Sequence, residues 1–318
     1  IAHWQRLIFI SGFMSLSAFL LPVFVSGFTI LLICQALAGF FAGLGYAVAI
    51  ACLGDTRNPT RNYALALTAQ TAAVGIVSYL LPQLIVRGTT FHEALMAVSG
   101  LSFITLLLGT MMPRNGKRTS LKNAMTEQNP TAVFIILLIL LLVFVGGNTV
   151  RNAIEPIASR LDFAATEGGG VMMILIFASG LGSLIAALMA TRSSYTKPMV
   201  IALGIAVTVL VMGIFQLWPE QISLIFAFCL VGGAWNFAAA YGMGLTAKLD
   251  SGSGKYTPLI ATMQILGNVA GIAAVGSLVV GGSYVLPYML ACIVWILALV
   301  IVIPVVKRNQ KLITANND

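Results

Sequence analysis

Asn148, Arg151, Asn152 and Glu155 recur at i, i+3, i+4 and i+7 within the segment GGNTVRNAIEP. At about 100° per residue these four side chains share one wedge of a helix. Two amides, a guanidinium and a carboxylate on one face can hold a polar solute through hydrogen bonds and charge. They follow an unbroken apolar run, Ala132 to Val145, so the helix that carries them crosses hydrocarbon, where ionisable groups are costly and tend to be functional. Arg151 and Glu155 are spaced for mutual i, i+4 pairing, which offsets part of that cost. At a rise of about 1.5 Å per residue, Asn148 lies roughly two thirds or more of the way across a core about 30 Å thick. Two readings stand. The stripe lines the outer half or mouth of a cavity, with Ile154, Ile157 and Ala158 continuing the apolar back of the helix, or residues 151–162 form a solvated extension. Pro156 at one end and Gly146-Gly147 at the other favour a bend.

Further amides lie inside apolar segments. Gln264, Gly267, Asn268 and Gly271 share a wedge in which the two glycines form a small-x-x-x-small face. That face fits close helix packing, and the two amides on it fit either a neighbouring helix or a solute. Asn236 stands between Trp235 and Phe237, a pairing that suits an organic ligand or aromatic filling of a bundle. Gln35 and Gln70 are amides embedded in apolar runs. Gln35, Gln70, Asn148, Arg151, Asn152, Glu155, Asn236, Gln264 and Asn268 are therefore the candidate cavity residues.

The chain offers no comparable case for catalysis. His3 and His92 have no serine or carboxylate at dyad spacing, and the Ser-Gly steps at Ser99 and Ser179 do not fit a nucleophile elbow. Cys34, Cys52, Cys229 and Cys292 lie in or at the ends of apolar runs without metal-ligand spacing. There is no phosphate-cradling Gly-Lys loop, which argues against an ATP-driven pump. No enzyme activity, metal or cofactor is expected.

The elements that must position these residues follow from composition. The 318 residues are 59% hydrophobic and 8% charged, with a mean hydropathy of +1.00, outside the soluble globular range. Ten segments are long and apolar enough to cross a bilayer: roughly 7–26, 28–53, 63–86, 94–112, 131–157, 168–190, 199–217, 222–247, 257–280 and 284–306. The expected fold is an all-α polytopic membrane helix bundle.

Basic residues occupy alternate loops. One set holds Arg6; Arg57 and Arg61; Arg114, Lys117, Arg118 and Lys122; Arg192 and Lys197; Lys248 and Lys255; and Lys307, Arg308 and Lys311. The other holds Arg87, Arg151 and Arg160. The rich set belongs on the cytoplasmic side, which puts both termini in the cytoplasm and the protein in the cytoplasmic (inner or plasma) membrane. The net charge of +8 thus records topology. Its scatter over short loops argues against nucleic-acid binding. The expected partners are a small-molecule solute, with proton coupling as an option, and the lipid bilayer, with a monomer as the expected state.

Residues 113–130, PRNGKRTSLKNAMTEQNP, are the longest polar stretch between spans. They divide the chain into an N-terminal helical half (1–112), a cytoplasmic linker (113–130) and a C-terminal six-helix half (131–318). Four spans followed by six become six plus six if two helices precede Ile1, an expectation that the missing initial Met supports. The first, fourth, seventh and tenth spans carry no strongly polar side chain in their interiors, while the others hold most of the amides and charges; 168–190 is the weak exception. A lipid-facing helix at every third span implies a three-helix unit used repeatedly.

On these residues the chain resembles the major facilitator superfamily. LICQALAGFFAGLG (Leu32 to Gly45) is similar to the family's fourth-helix signature, with Gln35 where an Arg stands four residues before a Gly. GDTRNPTRNYALAL (Gly54 to Leu67) resembles the basic entry to the fifth helix, TAKLDSGSGKYTPLIATMQILGNVAGIAAVG (Thr246 to Gly276) the entry to the eleventh, and KRNQK (Lys307 to Lys311) the cytoplasmic tail. The resemblance implies about ten transmembrane helices present of twelve, corresponding to the third through twelfth. It also implies a secondary active transporter that moves a small organic solute by alternating access, with an efflux-type permease as one form. The alternative is a transporter-like membrane sensor or partner-binding subunit without net transport. The chain departs from the pattern at four points. The acidic and basic loop before the third helix would end at about Arg6 and falls ahead of Ile1, its echo near ALMATRSSYTKP (Ala187 to Pro198) has no Asp, Gly75 and Pro82 stand apart, and Gln35 lacks the charge tied to proton coupling.

Overall fold

The computed structural model describes residues 3–25, 27–86, 88, 90–114, 130–160, 165–190, 195–217, 220–250, 254–279, 283 and 285–308. Among them the chain forms ten helices and no strand. In order these are α1 (Trp4–Phe24), α2 (Phe28–Gly54), α3 (Pro59–Val86), α4 (Phe91–Gly109), α5 (Pro130–Arg160), α6 (Ala165–Met189), α7 (Thr196–Ile214), α8 (Glu220–Leu249), α9 (Leu259–Leu278) and α10 (Val285–Arg308). Each coincides with an expected span to within a turn or so. Hydrocarbon offers no partner for backbone N–H and C=O groups, and a helix satisfies them within the segment. Among the described residues eight helices are long and apolar enough to span. Most of the polar linker, residues 115–129, lies outside the described residues.

The breaks between helices have local causes. Gly27 takes φ 148° ahead of α2, a conformation that L side chains rarely adopt. Thr90 and Glu93 form a capping box that opens α4, with the Glu93 carboxylate accepting from the Thr90 backbone at 2.7 Å. Asp250 follows α8 and accepts from Tyr256 N at 2.9 Å, Thr257 N at 2.7 Å and Thr257 Oγ1 at 2.7 Å, folding the loop onto the start of α9.

α5 is the central helix, with 67% of its apolar window buried against 17% for α4. It packs against α8, α9 and α10, with α7 filling the space beside α8 and α10. Ile136, Leu140 and Phe144 of α5 meet Leu203 and Leu210 of α7 and Met243 of α8 in one core. α1 packs on α2 and α4; α3 leans on α6 and α8, and α2 on α9, which joins the first four helices to the last six.

Glycine permits the closest crossings. A side chain on Gly182 would collide with the Gly233 backbone, so α6 and α8 touch main chain to main chain. Gly267 and Gly271 press against Phe144 and Asn148 of α5, and this decides the role of the small-residue face on α9. α5 is helical without interruption through Gly146, Gly147 and Pro156. Each of the two glycines receives an indole: Trp295 of α10 on Gly146 and Trp235 of α8 on Gly147.

Candidate functional site: a cavity lined by six helices

A cavity of about 440 Å³ lies between α2, α3, α5, α6, α8 and α9. This is within the range of a site for a small organic molecule. Among the described residues, α1, α4, α7 and α10 contribute nothing to its lining. These are the spans whose interiors lack strongly polar side chains, so they have no such group to present to it.

α5 supplies Gly147, Asn148 and Arg151. Asn148 is buried and donates through Nδ2 to the Phe144 carbonyl at 2.9 Å, which fixes its rotamer against its own helix. Arg151, half-buried, reaches the cavity one turn further along, and among the described residues its guanidinium donates no hydrogen bond. Asn152 donates to the Asn148 carbonyl at 2.7 Å and stands outside the lining. The side chain of Glu155, and with it the expected pairing to Arg151, lies outside the described residues.

α8 supplies Trp235 and Asn236. Asn236 is buried and donates to the Ser179 carbonyl at 3.2 Å and the Ser179 hydroxyl at 3.1 Å, tying α8 to α6 at the cavity wall. Trp235 is 9% exposed, and its indole N–H is buried without a hydrogen-bond partner among the described residues. Trp295, seated on the neighbouring glycine, donates instead to the Val143 carbonyl at 3.2 Å. Burying an indole N–H without a partner is unfavourable.

α9 supplies Gln264 and Asn268. The wedge read from the sequence divides in two, its glycines buried on α5 and its amides toward the cavity. Tyr46 of α2 donates to the Gln264 side-chain oxygen. On α3, Gln70 and Thr71 line the wall, and Thr71 lies against Gly180 of α6. Gln35 lies on the same face of α2 as Gly39 but one turn further along, exposed and outside the lining. Its depth separates it from the cavity.

Tyr46, Thr71, Ser179 and Trp235 were not among the candidates. Tyr46 follows Gly39 and Gly43 at i, i+7 and i, i+3 spacing, a stripe that leaves room beside the helix. Glycine and alanine carry no polar signal, so the stripe read as ordinary apolar span.

At the end carrying Arg57, Arg61, Lys248 and Lys255 the two groups of helices meet. Thr60 of α3 packs on Gly244 of α8 and donates to the Tyr195 hydroxyl at 3.2 Å. Lys248 stands 5.1 Å from the centre of the Tyr195 ring. Gly54 of α2 faces Thr257 and the Tyr63 hydroxyl, which itself donates to the Ile50 carbonyl at 2.9 Å. These contacts close the bundle beyond the cavity on this side.

No family model and no curated protein sequence matches the chain. Solved structures do. A variant of the E. coli fucose:proton symporter FucP aligns with a TM-score of 0.67 at 12% identity, over 94% of this chain and 83% of that one. The proton:xylose symporter XylE, bound to 6-bromo-6-deoxy-D-glucose, aligns with a TM-score of 0.72 at 13% identity, over 93% of this chain and 78% of that one. The protein therefore has the fold of a major facilitator superfamily transporter, a polytopic bundle of membrane-spanning helices.

Proposed function

We propose that the protein is a secondary active transporter that carries a small organic solute through the six-helix cavity by alternating access. The observation that carries this reading is the placement of polar groups from both groups of helices, Gln70 on one side and Asn148, Arg151, Gln264 and Asn268 on the other, around one cavity closed at the basic-loop end. A rocking motion that parted Thr60 from Gly244 and Tyr195 would open that end while the site stayed fixed. The likeness to two proton-coupled symporters supports co-transport with a proton more than it supports an efflux-type permease. In this reading residues 1–112 and 131–318 are the two moving halves and 113–130 their cytoplasmic linker.

Uptake of a mixed pool of small organic solutes into proteoliposomes, read by mass spectrometry against protein-free liposomes, tests the proposal. Selective accumulation of one solute class supports transport. Binding of a solute without accumulation under any ion gradient would favour the sensor reading. The orientation, with both termini cytoplasmic, rests on the loop charges. Lys255→Cys reacting from outside, or His92→Cys from the cytoplasm, in a protein cleared of its own cysteines, would reverse it.

A further inference from the structure

We infer that the solute is an organic anion whose carboxylate or phosphate oxygens are held by Arg151. The inference rests on the transport cavity just described and names its ligand class. Arg151 is the cationic residue of the lining, and no Asp or Glu lines the cavity among the described residues. The acidic side chains that are described, Asp55, Glu93 and Asp250, lie in or next to the connections at the ends of helices. Among the described residues the cavity thus presents a guanidinium without a counter-charge, and an anion entering it supplies a partner.

The hydrogen-bond inventory agrees. A guanidinium brings five donors and no acceptor, in a planar fork that matches two oxygens of a carboxylate or phosphate. Arg151 commits none of them to a described residue. Trp235 also lines the wall, with its indole N–H buried and without a hydrogen-bond partner among the described residues. Gln70 and Asn268 are cavity amides that make no side-chain hydrogen bond to a described residue. By contrast Asn148, Asn236 and Gln264 are already engaged with Phe144, Ser179 and Tyr46. The groups left to recognise a solute are therefore donor-rich around one cation. Phe144, Val74 and Ile176 complete the wall, so the remainder of the solute has apolar as well as polar surface to meet.

The test uses the full chain, purified, with probes matched in shape and differing in one group. The sets are D-glucuronate, glucose 6-phosphate and glucose; benzoate, phenyl phosphate and benzyl alcohol; and lactate, glycerol 3-phosphate and glycerol. Thermal unfolding is read with each probe for wild type, Arg151→Gln and Arg151→Lys. At least one anion should raise the wild-type Tm while its neutral counterpart does not, and whether carboxylate or phosphate wins identifies the group. Arg151→Gln should weaken that anion by about tenfold or more, and Arg151→Lys, which keeps the charge without the fork, should recover part of it. Equal stabilisation by the neutral counterpart, full retention by Arg151→Gln, or no response to any anion overturns the inference. Uptake of the binding probe into proteoliposomes separates the two levels. A neutral probe that is transported leaves transport standing and removes the anion, whereas an Arg151-dependent anion that is never transported does the reverse.

Discussion

The Tyr46 hydroxyl donates to the side-chain oxygen of Gln264, joining α2 to α9 across 218 residues of sequence at the cavity wall. α2 belongs to the first four helices and α9 to the last six, so a motion that parts the two groups at this wall must break the bond. A hydrogen bond of this kind contributes about 0.5–1.5 kcal/mol net, enough to bias one state and weak enough to be released by thermal motion. Tyr46→Phe should therefore lower stability by about 1 kcal/mol, with Gln264→Leu costing a similar amount and the double change little more than either. Thermal unfolding of the four proteins measures this. Fully additive losses would mean that the two residues do not act on each other.

Glycine positions should differ sharply in their response to one added methyl group. A side chain on Gly271 would press on the Asn148 side chain and backbone, whereas Gly39 has open space beside it. Gly271→Ala should cost about 1–3 kcal/mol as α9 is pushed from α5. Gly39→Ala, mid-helix and unobstructed, should be neutral or stabilising by about 0.5–1 kcal/mol. Melting temperatures of the two variants, measured side by side, distinguish crowding from a general intolerance of change.

Asp250 accepts three hydrogen bonds at the turn between α8 and α9, beside the contacts that close the basic-loop end. Asp250→Ala should leave those donors without this acceptor and cost about 1–3 kcal/mol. It should also speed hydrogen exchange at the Tyr256 and Thr257 amides. Unchanged exchange there would show that the turn is held by other means.

The helix layout was legible because each span is long, apolar and bounded by a polar or glycine-rich break. The amides of α3, α5, α8 and α9 were legible for a related reason: polar groups in hydrocarbon must face something polar. What the sequence withheld is tertiary. Nothing local tells that Gly146 and Gly147 each receive a tryptophan from another helix, or that Asn236 engages Ser179. Gln35 showed the right face but not the depth, since periodicity fixes direction around a helix and leaves the ends of a cavity open. Tyr46 was hidden because its neighbours on that face are small residues, which are informative only once the partner helix is known.

The central claim is that one cavity is reached alternately from the two sides of the membrane. A single cysteine at Gln70, which lines the cavity on α3, in a protein cleared of Cys34, Cys52, Cys229 and Cys292, measures it without knowledge of the solute. A membrane-impermeant maleimide applied to right-side-out or inside-out vesicles should label Gln70→Cys from both faces. A Thr60→Cys to Gly244→Cys crosslink, which locks the basic-loop end shut, should abolish labelling from that face alone. Labelling from one face only, under every ion gradient and with the crosslink reduced, would contradict alternating access.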